Sequence, residues 1–274
     1  MQQGTDALAH SSDDRGIELA SVANLRDLGG LPAAGGTVAR GRVFRSASLA
    51  ELSPEDGAEL AARGIALAVD FRTAAETSAA PDRLPAEIAP LALDVLADSP
   101  GAGAANIPAL LADPAQFLAL VSGGGIAEAL RDSYREIVSL PSARAAYREF
   151  FLRLGDSAAP GAVIFHCTTG KDRTGWGAAS LLALLGAPDE AIRADYLRTN
   201  TDLLPRLAPL FARAEEAGVD PDLLRPLLGV QEDYLDTAFA QVRSEYGDMD
   251  GYFERALGLS TVERDAVRER FLSA

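Results

Sequence analysis

The sequence predicts an α/β fold: a central, largely parallel sheet flanked by helices, with a helical C-terminal part. Three observations carry this. Short apolar runs of buried-strand type alternate with helix-period segments through the first two-thirds of the 274 residues. From Asp189 onward only helix signals remain. Hydrophobic residues at 48 % and charged residues at 24 % are ordinary for a packed chain and exclude a mainly disordered one.

The elements follow in order. Residues 1–16 are polar and acidic, read as a flexible tail, and lack the basic and apolar regions of a secretory signal. Gly16 to Val22 alternates enough for a short strand, and Asn24-Leu25-Arg26-Asp27-Leu28-Gly29-Gly30 reads as a turn. Thr37 to Ser46 predicts a β-ribbon. Ser53-Pro54-Glu55-Asp56 is a helix start, with a Ser cap, Pro in the first turn and early carboxylates; that helix ends near Arg63-Gly64. Ile65 to Phe71 and Ile88 to Val95 are strands of buried type. Ala97 to Ala109 is a Gly/Ala/Pro loop, and Ile126 to Val138 and Ala143 to Leu154 are helices. Gly161 to Phe165 is a buried strand, followed by a short loop and a helix from about Thr174 to Leu185. Later helix starts stand at Pro188-Asp189-Glu190, Asp220-Pro221-Asp222 and the capping box Ser260-Thr261-Val262-Glu263.

Charge and rare residues narrow the function. The net charge of −15 repels nucleic acid and anionic lipid surfaces, so neither is a default partner. No segment offers the roughly 18 consecutive apolar residues of a membrane span. One cysteine excludes an intramolecular disulfide framework and Cys-rich zinc sites. A lone free thiol suits a reducing compartment, and a cytoplasmic location is expected, with export by a route lacking a signal left open. His166, the only Cys (Cys167), the only Lys (Lys171) and the only Trp (Trp176) fall within eleven consecutive positions. Against 24 arginines, a single retained lysine suggests that an ammonium is wanted there.

The chemistry is carried by Val163-Ile164-Phe165-His166-Cys167-Thr168-Thr169-Gly170-Lys171-Asp172-Arg173-Thr174-Gly175, a strand, a loop and a helix start. Backbone amides between a strand end and a helix N-terminus point inward, and the helix adds partial positive charge. Such a nest holds a tetrahedral dianion. Cys167 opens the loop and Arg173 closes it, so both can meet over one phosphate, and the positive field favours the thiolate. A planar guanidinium can grip two phosphoryl oxygens through the transition state. Lys171 is expected to add charge at the rim. The Walker A and dinucleotide-binding patterns both fail on these letters. Cys-x₅-Arg remains, meaning covalent phosphoryl transfer through a thiol with no metal or cofactor. A sulfurtransferase and a catalytically silent phosphate-binding module are the rivals.

His-Cys-x-x-Gly-Lys-x-Arg-Thr-Gly resembles the signature of the cysteine-dependent protein tyrosine and dual-specificity phosphatases. Asn24 to Gly30, Asp70-Phe71-Arg72-Thr73-x-x-Glu76 and the Asp before the loop Arg are similar to a bacterial family that includes mycobacterial protein tyrosine phosphatase B and a Listeria relative. The resemblance implies one phosphatase domain over residues 17–274, with a helical lid matched by position to 202–230. It implies activity on phosphotyrosine and often on phosphoserine/threonine and phosphoinositides, so the expected partner is a phosphorylated protein or a phosphoinositide. A phosphoinositide phosphatase is the alternative reading, ahead of the two rivals above. Nothing in the sequence bears on oligomeric state.

On this reading Cys167 is the nucleophile, Arg173 the phosphate clamp, and Thr168, Thr169, Gly170 and Lys171 the phosphate loop. His166 supports the loop, its bland alternative being a satisfied core histidine. Thr174 offers a hydroxyl to the sulfur or caps the helix. The general acid is open: the family pattern points to Asp172, which could instead orient Arg173 or Lys171. Asp70, Asp94 and Asp98 compete with it. Asn24 to Gly30 reads as a polar scaffold beside the loop.

Overall fold

The computed structural model describes residues 14–99, 125–159, 161–216 and 220–273. Its strands are β1 (Arg26–Asp27), β2 (Pro32–Ala33), β3 (Gly36–Val38), β4 (Val43–Ser46), β5 (Ile65–Asp70), β6 (Ala89–Ala92), β7 (Ala162–His166) and β8 (Leu272–Ser273). The main sheet has the order β1-β4-β7-β5-β6. β4, β7, β5 and β6 run parallel, and β1 alone is antiparallel, against β4. β2, β3 and β8 make a small antiparallel sheet.

Parallel strands covered on both faces read as unbroken apolar runs, and β5 and β7 do. Their side chains alternate between two cores. Val69, Val163 and Phe165 join the larger core, while Ile65, Ala68, Ala162 and Ile164 join the smaller. Helix α1 (Pro54–Ala62) covers the smaller core with Leu60. Its start is as predicted: the Ser53 hydroxyl accepts from the Asp56 amide and Pro54 opens the helix. The short helix α2 (Ala74–Ala79) lies at the sheet's C-terminal edge. The larger core is built by α3 (Gly125–Ser139), α4 (Pro141–Gly155), α5 (Arg173–Leu184) and α6 (Asp189–Leu203). After α7 (Ala208–Glu216) and α8 (Arg225–Leu228), α9 (Glu232–Tyr246) and α10 (Thr261–Phe271) complete it. Asn200 ties the ends of the α7–α8 excursion together, donating to the Val230 carbonyl at 2.9 Å and accepting from its amide at 2.8 Å.

In the register, Ser46 pairs with His166 and His166 with Asp70. Three strand ends therefore stop at one level, and whatever follows them shares one edge of the sheet. This is the edge where parallel sheets bind ligands.

The structure corrects several expectations. Gly16 to Val22 is no strand: Gly16 makes a single bridge to Arg26. Arg15 and Gly16 are not loose tail, since Arg15 is buried and paired with Asp195. Within the expected turn, Arg26–Asp27 is a strand. Thr37 to Ser46 is no ribbon, because β3 pairs with β2 and β8 while β4 enters the main sheet. β6 is an edge strand with mostly exposed side chains rather than a buried one. The helical C-terminus closes with the short β8. Most of the Ala97 to Ala109 loop, from residue 100, lies outside the described residues, as do residues 1–13. Among the described residues no helix is long and apolar enough to cross a membrane.

Candidate active site

Cys167 follows the last residue of β7, and Arg173 is the first of α5. The intervening loop curls so tightly against β4 that only glycine fits at its centre. Gly170 has φ +71°, and a Cβ there would lie 2.3 Å from the Ser46 carbonyl oxygen.

The carbonyls of the loop are held from outside. The Cys167 carbonyl faces His166 Nδ1 at 3.2 Å, and the Thr168 carbonyl accepts from the Ser48 amide at 3.0 Å. Asn24 Nδ2 donates to the carbonyls of Thr169 (3.1 Å) and Gly170 (3.0 Å), and Arg45 Nη2 adds a second bond to Gly170 at 2.8 Å. The Asp172 carbonyl takes the Trp176 amide at 2.8 Å, and the Arg173 carbonyl takes the Tyr147 hydroxyl at 2.8 Å. A trans peptide sets its N–H opposite its C=O. Outward carbonyls thus leave inward amides, and those of Thr168 to Asp172 find no protein acceptor among the described residues. The result is a ring of free donors at a helix N-terminus, which is an anion site.

Cys167 and Arg173 are both buried at this ring. The guanidinium does not hang free: Glu76 of α2 grips it, with Nη1 to Oε2 at 2.7 Å and Nη2 to Oε1 at 2.9 Å. Nη1 also donates to the Phe71 carbonyl at 3.3 Å. Burial works against the Arg173 charge, but Glu76 and then the Cys167 sulfur raise its hold on the proton. Burial likewise disfavours the Glu76 charge, yet Arg173, with the Thr168 hydroxyl, brings that carboxyl down to about 2. Glu76 also closes the capping box of α2, accepting from the Thr73 amide at 2.8 Å.

Lys171 is fully buried, contrary to the expected rim position, with Nζ 2.8 Å from Asp172 Oδ2. Asp172 also accepts from the Tyr134 hydroxyl at 3.0 Å, and Tyr134 meets the Tyr196 hydroxyl at 2.6 Å. Burial, and then the Asp172 charge, push both phenols well above their ordinary range, so they stay protonated. His166 Nε2 lies 3.0 Å from Asp82 Oδ2, a close contact that misses hydrogen-bond alignment. The Thr174 hydroxyl is buried without a protein partner among the described residues, and it does not cap α5.

The rival carboxyls have structural partners. Asp70 grips Arg72 through both oxygens at 2.8–3.0 Å. Asp94 accepts from the amides of Ala74 and Leu96, and Asp98 from that of Ser142. Asp70, Asp82 and His166 place ligand atoms within 4.8 Å of one another, the spacing a metal ion needs. The Arg72 guanidinium already bridges Asp70 and Asp82 at 2.8 Å each, so a cation there would have to displace it.

With a thiol and a guanidinium at opposite ends of an amide ring, comparison with known proteins decides the family. The profile of the tyrosine phosphatase family matches residues 17–273. The chain belongs to this family. A Cupriavidus necator protein assigned by name to the tyrosine-protein phosphatases is 34 % identical over 255 residues, covering 89 % of this chain and 84 % of the relative. The triple specificity protein phosphatase PtpB of Mycobacterium tuberculosis is 29 % identical over 272 residues, covering 90 % and 96 %. A tyrosine-protein phosphatase of Nostoc commune is 28 % identical over 236 residues, covering 82 % and 72 %. The chain is therefore a protein-tyrosine phosphatase, and its reaction is hydrolysis of phosphotyrosine.

In this phosphatase the loop residues expected to act together do meet: His166, Cys167, Thr168, Thr169, Gly170, Lys171, Asp172, Arg173 and Thr174 form one edge. Sequence reasoning placed Arg26 only within the Asn24 to Gly30 scaffold and assigned no role to Glu76, Arg45, Asp195, Tyr134 or Tyr196. Glu76 stood in the Asp70 to Glu76 motif, so its presence was visible while its partner, 97 positions away, was not. The others carry no local pattern.

Proposed function

We propose that Cys167 attacks the phosphorus of the ester while Arg173 and the loop amides hold its oxygens. The observation that carries this is the ring itself: every carbonyl that could face the phosphate from Cys167 to Gly170 is bonded elsewhere, and the amides are free. The phosphorus–oxygen bond to the leaving group breaks as the sulfur–phosphorus bond forms, giving a phosphocysteine and an alcohol. Water then cleaves the phosphocysteine and returns the thiolate. Developing charge on the equatorial oxygens is met by donors already in place, which is where such sites derive most of their rate. Glu76 keeps the Arg173 fork flat against the loop. Thr174 has a hydroxyl available for the departing sulfur. Asp172, its carboxylate held by Lys171 and Tyr134, takes up the proton of the bound monoanionic ester and passes it to the leaving oxygen as the phosphorus–oxygen bond breaks.

The substrate range extends in this reading to phosphoserine/threonine and phosphoinositides. The name of the M. tuberculosis relative, with its triple specificity, supports a range wider than phosphotyrosine. The pairing of Lys171 with Asp172 speaks against a free ammonium reaching for a head group. Residues 202–230 act as a lid. Asn200 and Val230 tie the base of this segment. Leu224, Leu227 and Leu228 are seated in the larger core, so the part that moves is α7, which has no buried residue.

The test uses the only thiol. Cys167→Ser should abolish hydrolysis of p-nitrophenyl phosphate with the far-ultraviolet dichroism and Tm unchanged, and wild-type turnover should survive a chelator. Retained turnover in Cys167→Ser would remove the nucleophile, and chelator-sensitive turnover would remove the thiol-only mechanism.

A further inference from the structure

Behind the phosphate loop lies a cluster of charge that the reaction itself does not call for. The buried carboxylate of Asp195, on α6, binds three guanidiniums. Oδ1 takes Arg15 Nη1 at 2.9 Å and Arg26 Nε at 3.0 Å, and Oδ2 takes Arg45 Nη1 at 2.8 Å. Arg26 and Arg45 are fully buried, and Arg15 is 6 % exposed. Arg26 also donates to the Asp195 carbonyl at 2.8 Å and to Thr199 Oγ1 at 3.2 Å. Asp202, at the margin, is 3.4 Å from Arg26. Buried charges of this kind are costly unless paired and hydrogen-bonded, and here Asp195 pairs with all three guanidiniums. Burial, and then repulsion from Arg45, lower the hold of Arg26 on its proton to about 10, against the pull of Asp195.

The cluster reaches the loop through two side chains. Arg45, its Nη1 on Asp195, turns Nη2 to the Gly170 carbonyl. Asn24 has its amide orientation set by Arg26, which donates to Asn24 Oδ1 at 2.5 Å. That leaves Asn24 Nδ2 to donate to Thr169 and Gly170. Asn24 sits at φ +55°, a left-handed conformation in which Asn and Asp are the best tolerated side chains. The Thr169 carbonyl shares a peptide plane with the Gly170 amide, and the Gly170 carbonyl shares one with the Lys171 amide.

We propose that Asn24 and Arg45 are positioning residues for phosphate binding: anchored on Asp195 and Arg26, they turn two carbonyls out of the loop and thereby aim the Gly170 and Lys171 amides at the substrate. The Arg45 guanidinium itself faces the Gly170 carbonyl from behind the loop. This rests on the reading above that the loop amides hold the phosphoryl group.

The decisive variant is Asn24→Asp. It keeps the shape, the left-handed backbone and the oxygen that Arg26 binds, but it sets a second acceptor against the two carbonyls. We expect Tm within a few degrees of wild type. The inhibition constant for inorganic phosphate and the KM for p-nitrophenyl phosphate should each rise at least about tenfold. Arg45→Met, which leaves Asp195 with Arg15 and Arg26, should also weaken phosphate inhibition, and Arg45→Lys should restore part of it. Wild-type phosphate inhibition and KM in Asn24→Asp would overturn the proposal. So would an Arg45→Met protein whose activity falls only with its folded fraction while phosphate inhibition stays wild type. If inorganic phosphate fails to compete with substrate in the wild type, the loop reading itself falls and takes the proposal with it.

Discussion

Asp172 brings together a role assigned from the sequence and contacts found in the fold. Lys171 and Tyr134 both donate to its oxygens, so it does orient Lys171, one of the alternatives open from the sequence. A proton donor in addition makes a separate prediction. Asp172→Asn should cost about 100-fold on alkyl phosphates, whose leaving groups need a proton, and under about tenfold on p-nitrophenyl phosphate. A leaving-group series of kcat values measures this, and equal losses would leave Asp172 only as the holder of Lys171. At this scale the sequence was informative where two partners lie within a few positions, as Cys167 and Arg173 do. It was silent where they do not: Arg45 and Gly170 are 125 positions apart, and Asp195 and Arg26 are 169.

The elements show the same division. Helix starts were legible because caps are local: Ser53 and Ser260 each accept from the amide three residues on, as their sequences imply. The buried strands β5 and β7 were legible because sheets covered on both faces demand continuous apolar runs. The ribbon expected over Thr37 to Ser46 was not found, because β3 pairs with β8 at the far end of the chain, and pairing partners leave no trace in a strand's own letters. The strand-to-helix unit that holds the loop depends on contact with a third element. Gly170→Ala should therefore be severe, since the added Cβ meets backbone of Ser46 and Ala47 that cannot move aside. A left-handed alanine alone costs roughly 1–2 kcal/mol, and the overlap adds to it. We expect a Tm lowered by several degrees and turnover of p-nitrophenyl phosphate reduced at least tenfold. Wild-type kinetics in Gly170→Ala would show that the loop does not need its close seat on β4.

Across the whole molecule, the balance of −15 is reached with many cations turned inward. Arg15, Arg26, Arg45, Arg72 and Arg173 are all buried, and the charged carboxylates of Asp70, Glu76 and Asp195 between them meet all five. Burial opposes this at Asp70, Glu76 and Asp195, but the facing arginines prevail and all three lie below their ordinary range. A carboxyl whose folded value is depressed adds stability that is present above its unfolded value and lost as pH falls through its folded one. For Glu76 that window runs from its ordinary 4.5 down to about 2. The Tm should therefore hold from neutrality to about pH 5 and then fall steadily toward pH 2. Glu76→Gln should be less stable than wild type at pH 7 and show a shallower fall between 4.5 and 2. Parallel Tm curves for the two proteins would mean that the Arg173–Glu76 pair contributes no pH-dependent stability.

The sequence by itself determined the reaction. A thiol, a fixed spacing, a glycine-bearing turn and an arginine at a helix start are local facts, and the geometry of a strand–loop–helix unit follows from local backbone chemistry. Only the tertiary structure decided what gives that loop its shape and charge. The donors behind its carbonyls, the carboxylate on Arg173 and the buried partner of Lys171 come from segments far apart in the chain. They meet only because parallel strands end at one level and the helices close over them. A polar group's partner is a property of packing, since burial demands some partner without specifying which one.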